Sequence, residues 1–434
     1  MADELRVSIE KLVYGGDGLA HADGNTVFVP YVLPGEQVRA AAKSKRKKLV
    51  WAQLLEVTSA SAQRAGARCP HFQTCGGCHY QHIPATEQLR LKTEILRETL
   101  SRLGGIQWTG AIHEHAAEPY GYRNRAQWAV RNANPRAIGY FLPESSVIVP
   151  IDECPVLSPL LAKTFGQLQE LARSNRLPEK VLEIEAFVDS ADAKLALNVA
   201  FERFPKPAAE LAATFREALP ELASLLLADE SKDRFELTGP GFLFHEAGGF
   251  RYRVSHLSFF QVNRFLVDDL LKTVIAGAKG DAALDLYAGV GFFTLPLTRT
   301  FSRVVSVDAN LAATRDLHVN AENAGVAVIS HNEHAEEFLR KTSERPNFVV
   351  LDPPRSGLGT EAASKLAQVA AAEIAYLSCD PSTLARDLAV LTGLKRDATS
   401  ASTTPRYEIT EMHLFDLFPQ TYHIETLVRL RRAP

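Results

Sequence analysis

The sequence predicts a multidomain α/β protein with a small β-barrel at its start, an α+β central domain and a Rossmann-like C-terminal domain. Three observations support this prediction. The chain has 434 residues, more than a single hydrophobic core usually serves. Short strand patterns separated by turn residues fill the first sixty residues, whereas strands and helices alternate from about Phe259 onward. We therefore expect domains at residues 1–60, 61–255 and 256–434.

The composition is that of an ordinary globular protein in a reducing compartment. Hydrophobic residues make up 46% and charged residues 23%, and the net charge is −3. The segment from Met1 to Val7 has no apolar core, so no secretory signal is predicted, and no apolar run has the length of a membrane span. Five cysteines, an odd number, do not suggest a disulfide framework. We expect a cytoplasmic monomer that does not bind membranes.

The first sixty residues are expected to form a barrel of the oligonucleotide-binding kind. The predicted strands are Leu5–Leu12, Thr26–Val29, Gln37–Ala42 and Val50–Val57, with glycine-rich turns between them. A basic run follows the third strand and consists of Lys43, Lys45, Arg46, Lys47 and Lys48. Such a run is ordinarily a solvated loop, and it becomes a phosphate-binding surface if the surrounding fold binds RNA.

Three cysteines follow the barrel at a spacing that suits metal ligands. Cys69, Cys75 and Cys78 are separated by five and two residues, with two glycines between the last pair. The glycines let the backbone curl so that several thiolates converge, and Cys154 could supply a fourth ligand. Four thiolates suit either an iron–sulfur cluster or zinc. The single Cys-x2-Cys pair and the distant cysteine beside a proline resemble ferredoxin ligation more than a zinc ribbon.

The central domain is expected to begin with one long helix. Ala85–Leu103 carries leucines along one broad face, stops at Gly104 and Gly105, and could pack on the C-terminal domain. The strands predicted after it are Ala126–Val130, Ala137–Phe141, Val147–Ile151, Val181–Val188 and Leu195–Phe201.

Alternation of strands and helices predicts a parallel sheet in the C-terminal domain. The strands are Ala283–Tyr287, Val304–Val307, Ala327–Ser330, Phe348–Asp352 and Ile374–Ser378. Two further strands, Tyr407–Leu417 and His423–Leu430, are joined by so few residues that they must be antiparallel. A parallel sheet that ends in an antiparallel hairpin is the sheet layout of S-adenosylmethionine-dependent methyltransferases.

A glycine loop after the first strand of this sheet predicts a cofactor site. Gly289 and Gly291 let the backbone approach a ligand, and Asp308 ends the next strand, where a carboxylate can bind ribose hydroxyls. A dinucleotide fingerprint requires a third small residue near position 294, which is Thr294 here. S-Adenosylmethionine has no pyrophosphate and therefore suits the loop better.

Cys379 follows the last parallel strand and is the candidate nucleophile. The carboxyl end of such a strand opens into the crevice where these sheets bind ligands, and a thiolate is a strong nucleophile. This position indicates covalent catalysis on an electrophilic substrate. A free cysteine is also often a small buried hydrophobe, and only the surrounding motifs favour the catalytic interpretation.

Together these segments resemble the RNA uridine-5 methyltransferase family, in its form with a leading TRAM barrel and a [4Fe-4S] cluster. The bacterial 23S ribosomal RNA (uracil-5)-methyltransferases are the members that the chain resembles most. Besides the cysteines, the resemblance rests on Gly15–Gly18, Tyr122–Arg125, Ser258–Asn263, Asp285–Gly291, Asp352–Gly357, Ser378–Pro381 and His423–Thr426. It implies an OB-like TRAM barrel, an α+β central iron–sulfur domain and a class I methyltransferase domain.

The resemblance also implies a role for each candidate site residue. Cys379 would be the nucleophile and Glu425 the general base. S-Adenosylmethionine would be bound by Gln261, Tyr287, Gly289, Gly291, Asp308 and Asp352, and a [4Fe-4S] cluster by Cys69, Cys75, Cys78 and Cys154. Relatives usually have glutamate in place of Asp308, and many have an aspartate near His334, which is therefore assigned no role.

The implied activity is methylation of carbon 5 of a specific uridine in RNA, in the first place 23S ribosomal RNA. Cys379 would bond covalently to carbon 6 of a uridine that is flipped out or unpaired. The cluster would stiffen the RNA-binding central domain. Three alternatives stay open: a transfer RNA uridine-5 methyltransferase, an RNA cytosine-5 methyltransferase, and a redox-sensing RNA-binding protein with a vestigial catalytic domain.

Overall fold

The computed structural model describes residues 4–133, 135–395 and 406–434, so the first three residues of the amino-terminal segment lie outside the described part. The first sheet has the order β1-β5-β6-β4-β3-β2, and β1 also contacts β3, so that it curls around an apolar interior. Its strands are β1 (Glu4–Ser8), β2 (Lys11–Leu12), β3 (Asp17–Ala22), β4 (Asn25–Pro30), β5 (Gln37–Arg46) and β6 (Leu49–Ser59).

The barrel differs from the prediction at its start. The segment Leu5–Leu12 is split into β1 and β2, and β3 lies between the first two predicted strands, where no strand was predicted. Gly18 lies inside β3, where a Cβ atom would come within 2.3 Å of Val32. The glycine is therefore required by close packing rather than by a turn. The basic run extends from the end of β5 into the turn to β6 and is exposed.

A long helix, α1 (Ala85–Thr99), follows the cysteine loop and continues as a π-helical turn over Leu100–Gly104. Leu91, Ile95 and Leu96 are buried in the same apolar cluster as the C-terminal sheet. Gly104 lets the end of this helix lie directly against the backbone of the C-terminal domain, because a Cβ atom there would lie only 2.6 Å from the carbonyl oxygen of Ala385. The short strand β7 (His113–His115) comes next.

The central sheet has the order β10-β9-β8-β11-β12-β13-β14. Its elements are β8 (Arg125–Arg131), β9 (Ala137–Phe141), β10 (Ile148–Pro150), α2 (Pro159–Arg173), β11 (Val181–Val188), β12 (Leu195–Phe201), α3 (Ala208–Ala218), β13 (Leu222–Asp229) and β14 (Arg234–Thr238). The five predicted strands are present, whereas β13 and β14 were not predicted. Because β13 is rich in leucine and alanine and has no β-branched residue, its local sequence gave no strand signal. An antiparallel hairpin, β15 (Phe242–Ala247) and β16 (Phe250–Ser255), follows.

The C-terminal sheet has the order β19-β18-β17-β20-β21-β23-β22-β7. Its elements after the hairpin are α4 (Val267–Ile275), β17 (Gly280–Leu286), α5 (Thr294–Leu297), β18 (Phe301–Val307), α6 (Leu311–Ala324), β19 (Ile329–His331), α7 (Ala335–Lys341), β20 (Phe348–Leu351), α8 (Thr360–Val369), β21 (Glu373–Ser378), α9 (Pro381–Leu391), β22 (Tyr407–Phe415) and β23 (Glu425–Arg432). The strands β17 to β21 are parallel and β23 is antiparallel to β21 and β22, as predicted. Unexpectedly, β7 pairs with β22 at the far edge.

In the described part of the chain, no helix combines the length and the apolar character that crossing a membrane requires.

Candidate active site

Cys379 lies between the end of β21 and the start of α9, and it is half-buried. The next residue, Asp380, caps the helix: its Oδ1 accepts hydrogen bonds from the backbone N–H groups of Ser382 at 2.8 Å and Thr383 at 3.1 Å. The cap fixes the turn that carries the thiol. The thiol therefore stands at the carboxyl end of a buried strand, as the sequence predicts.

Glu425 is the first residue of β23 and is brought next to this turn by strand pairing. Ser378 pairs with Thr426 in the antiparallel register of β21 and β23, so one further step places Cys379 opposite Glu425. The side chain of Glu425 is buried. The structure thus brings together the two residues that the sequence nominates for catalysis.

Burial raises the pKa of both groups, because each loses water that would stabilise its charged form. Burial, with the nearby charge of Asp352, raises the pKa of Glu425 to about 8, while Arg355 and Lys92 oppose the rise. Burial also raises the pKa of the Cys379 thiol to about 12; Glu425 and Asp352 raise it further, and Arg355 lowers it. The thiol is therefore neutral near pH 7, and Arg355 is the cation that favours its ionisation.

Asp352 follows β20 and accepts a hydrogen bond from the side chain of Gln261, and both are predicted cofactor residues. Burial raises the pKa of Asp352 to about 7, against the effect of a hydrogen bond from the Gln261 side chain. The charge of Asp352 also acts on Cys379 and Glu425. Gln261 and Asp352 therefore lie beside the candidate catalytic pair.

The glycine loop follows β17 in a conformation that glycine favours. Tyr287, Gly289 and Gly291 have φ angles of 62°, 56° and 92°. The backbone N–H of Gly289 donates to Oδ2 of Asp308 at 2.8 Å, and that of Asn310 donates to Oδ1 at 2.7 Å. Asp308 thus fastens the loop to the end of β18. A Cβ atom at Gly289 would have no other atom within 4 Å, so the backbone there borders open space, whereas a Cβ atom at Gly291 would lie 3.2 Å from the Leu317 side chain.

Two contacts in this region were missed by the sequence interpretation. The hydroxyl of Tyr287 donates to Oε1 of Glu336 on α7 at 2.8 Å, whereas the neighbouring His334 is exposed at the start of that helix. The hydroxyl of Thr294 donates to Oδ2 of the buried Asp285 at 2.6 Å. This bond explains the threonine at the position where a dinucleotide loop has a small residue.

The four predicted cluster cysteines lie on two loops that touch each other. The backbone N–H of Asp152, two residues before Cys154, donates to Nε2 of His71 at 3.0 Å. Burial raises the pKa of Cys78 to about 11, and the thiols of Cys75 and Cys69 add to the rise. Among the described residues, no three histidine, cysteine, aspartate or glutamate side chains form a group that could hold a metal ion. The convergence of these cysteines on one metal centre is therefore not shown, and the cluster stays a prediction.

Tyr14 of the barrel, which was not predicted as a site residue, contacts the turn that carries Cys379. The hydroxyl of Tyr14 donates to the backbone carbonyl of Cys379 at 3.3 Å. The Tyr14 ring also packs edge-on against Tyr422, with 5.7 Å between the ring centroids. Tyr14 therefore contacts both segments that carry the catalytic pair.

Helix α1 holds the segment that leads into β23. The Nζ atom of Lys92 lies 2.7 Å from Oδ1 of Asp416, and both side chains are buried. The Gln88 side chain donates to Oε1 of Gln420 at 3.0 Å and accepts the backbone N–H of Gln420 at 2.8 Å. The position of Lys92 beside Leu91 on the apolar face of the helix could have marked it as buried, but it does not identify Asp416 as the partner.

Comparison with known proteins gives two family matches. Residues 85–433 match the family described as tRNA (Uracil-5-)-methyltransferase, and residues 3–55 match the TRAM domain.

Relatives match the chain over nearly its whole length. An uncharacterized RNA methyltransferase of Aquifex aeolicus is 34% identical, and the match covers 98% of each chain. The 23S rRNA (uracil(1939)-C(5))-methyltransferase RlmD of Alkalilimnicola ehrlichii is 31% identical over 99% of this chain and 97% of its own. Among solved structures, the tRNA (uracil-54, C5)-methyltransferase of Pyrococcus abyssi in complex with S-adenosyl-L-homocysteine has a TM-score of 0.76 at 24% identity, covering 98% of this chain and 100% of its own. That structure shows the same fold.

Proposed function

Because the chain belongs to the tRNA (uracil-5-)-methyltransferase family, we propose that it methylates carbon 5 of one uridine in 23S ribosomal RNA through a covalent bond to Cys379. Its class of activity, S-adenosylmethionine-dependent methylation of uracil in RNA, follows from the family. The choice of ribosomal RNA is supported by the full-length relatives that carry this activity in their names. The observation that carries the mechanism is the position of Glu425 opposite Cys379.

The chemistry requires both residues. Carbon 5 of uracil is a poor nucleophile, but addition of the Cys379 thiolate to carbon 6 places negative charge on the ring and makes carbon 5 nucleophilic. S-Adenosylmethionine, when bound, supplies an electrophilic methyl group. The ionised form of Glu425, which is the minor form near pH 7 because its pKa is about 8, then takes the proton from carbon 5, and the electrons of the broken C–H bond expel the thiolate from carbon 6.

The residues around the glycine loop fit this methyl donor. Each oxygen of Asp308 accepts one backbone N–H, which leaves lone pairs for ribose hydroxyls. The open space beside Gly289 leaves room for the ligand. Gln261 and Asp352, which lie beside Cys379, would hold it together with Tyr287.

We further propose that Cys69, Cys75, Cys78 and Cys154 hold a [4Fe-4S] cluster that stiffens the central domain. Support comes from the set of four thiols and from the buried Gln81, whose side-chain oxygen accepts the backbone N–H of Cys69 at 2.8 Å. Anaerobically purified protein is expected to contain about four iron and four sulfide ions per chain, and Cys154→Ala fewer. Zinc without sulfide would contradict the proposal.

The substrate is tested by mapping 5-methyluridine in RNA from cells with and without this protein. We expect one modified position in 23S ribosomal RNA to disappear, and purified protein to restore it. Loss of the modification from transfer RNA would favour the first alternative, and loss of 5-methylcytidine the second. RNA binding that responds to oxidation without any methyl transfer would favour a redox sensor.

A further inference from the structure

A groove between the barrel and the cysteine loop lies beside the candidate active site. It encloses about 570 Å³, a volume within the range of ligand-binding clefts. We call it the aromatic groove, because its walls include Phe28, Tyr31, Trp51, His79 and Tyr422.

The aromatic rings are arranged for stacking. Phe28 on β4 and Trp51 on β6 are register partners, and their rings are stacked with centroids 5.7 Å apart and an interplanar angle of 26°. Both side chains are half-buried, so part of each ring is open to a ligand. The two rings therefore offer uncharged flat surfaces.

One end of the groove is continuous with the catalytic residues. Tyr422 lines the groove and lies three residues before Glu425. Its ring packs against that of Tyr14, whose hydroxyl binds the carbonyl of Cys379. A nucleotide next to a uridine in the active site would reach this end of the groove first.

The charges at the groove favour a base inside it and a phosphate outside it. Asp17 and Glu144 line it, and burial together with the charge of Glu144 raises the pKa of Asp17 to about 6. These carboxylates disfavour a phosphate inside. Lys43 is on the rim, and the exposed basic run continues from it along the turn between β5 and β6. A phosphate is therefore favoured outside, at the basic run.

We propose that the aromatic groove binds one unpaired base of the substrate RNA next to the target uridine, by stacking on Phe28 and Trp51. This inference rests on the proposed RNA methylation. Stacking on aromatic side chains tolerates any base, because every base has a π-face. The groove would therefore hold the RNA strand open beside the flipped uridine rather than read its sequence.

The test uses short RNA oligonucleotides that contain the target uridine and an abasic site at one flanking position at a time. Dissociation constants are measured by fluorescence anisotropy, together with methylation rates, for the wild type and for Phe28→Leu and Trp51→Leu. Leucine keeps the apolar bulk but removes the π-surface. Phe235→Leu, at an exposed aromatic residue of the central sheet, is the matched control.

For the wild type, one abasic position is expected to weaken binding by about tenfold, the effect of losing one stacked base. Trp51→Leu should weaken binding of intact RNA by a similar factor and abolish the sensitivity to that abasic position. Equal affinity of wild type and both groove variants, with thermal unfolding unchanged, would overturn the inference. Binding that follows the expected pattern without methylation would instead refute the proposed function and leave the groove assignment standing.

Discussion

Cys379 follows Ser378, and Glu425 precedes Thr426, at the last pair in the antiparallel register of β21 and β23. The two side chains are close enough for the charge of Glu425 to raise the pKa of the Cys379 thiol. The thiol and the carboxyl group can therefore act on one ring. They come from motifs 46 residues apart in the sequence, and the hairpin of β22 and β23 unites them.

Replacement of Glu425 by glutamine should stop the reaction after methyl transfer. The amide cannot take the proton from carbon 5, so the thiolate cannot leave and the protein should stay bonded to methylated RNA. Denaturing gel electrophoresis would show the complex. Glu408→Gln, at an exposed glutamate of β22, should turn over like the wild type. Normal turnover of Glu425→Gln would remove Glu425 from the mechanism.

Formation of the covalent bond should accelerate with pH. Because the pKa of Cys379 is raised to about 12, the thiolate is a minor form whose fraction grows about tenfold per pH unit near neutrality. Arg355→Gln removes the cation that lowers this pKa, so adduct formation should slow by about threefold or more at each pH, whereas Arg355→Lys should lose less. Rapid-quench measurements of the adduct would decide. A pH-independent rate would contradict the prediction.

Loss of the Tyr14 hydroxyl should slow chemistry without weakening RNA binding. Its bond to the carbonyl of Cys379 is worth about 1 kcal/mol, so Tyr14→Phe should lower kcat by roughly fivefold and leave KM for RNA unchanged. The hydroxyl of Tyr407 binds the carbonyl of Ala371 at 3.0 Å, away from the catalytic turn. Tyr407→Phe should therefore cost similar stability while kcat stays unchanged. Equal effects of both variants on kcat would indicate a structural role only.

The stability of the free protein should fall as pH rises. Burial raises the pKa of Asp285 to about 8, against about 4 in an unfolded chain. Between these values the folded state keeps a proton that the unfolded state releases, so Asp285 by itself lowers the free energy of unfolding by about 1.4 kcal/mol per pH unit. Asp285→Asn should reduce the slope of the wild type by about this amount, as measured by urea unfolding from pH 5 to pH 8. An unchanged slope would show that Asp285 is ionised.

The sequence predicted which residues meet at this edge of the sheet because its signals are local. Strand–helix alternation defines the parallel sheet, and the carboxyl ends of parallel strands meet at one edge, where Asp308, Asp352 and Cys379 are found. The five residues between the last two predicted strands fixed their antiparallel direction, which brings Glu425 to the same edge.

The contacts between distant segments could not be predicted in this way. Tyr14 is separated from Cys379 by 365 positions, and Lys92 from Asp416 by 324. Neither pair follows from periodicity, since each depends on how the barrel or helix α1 docks on the sheet. The strand β7 is short and polar, and only its pairing with β22 makes it a strand.

The most direct test of the covalent mechanism uses target RNA with 5-fluorouridine at the modified position. Fluorine at carbon 5 cannot be removed as a proton is, so the ring should stay bonded to the protein after methyl transfer. We predict a stable complex in which mass spectrometry locates the methylated RNA on the peptide that contains Cys379. Active protein that yields no complex with this RNA, or a complex through another residue, would contradict the account.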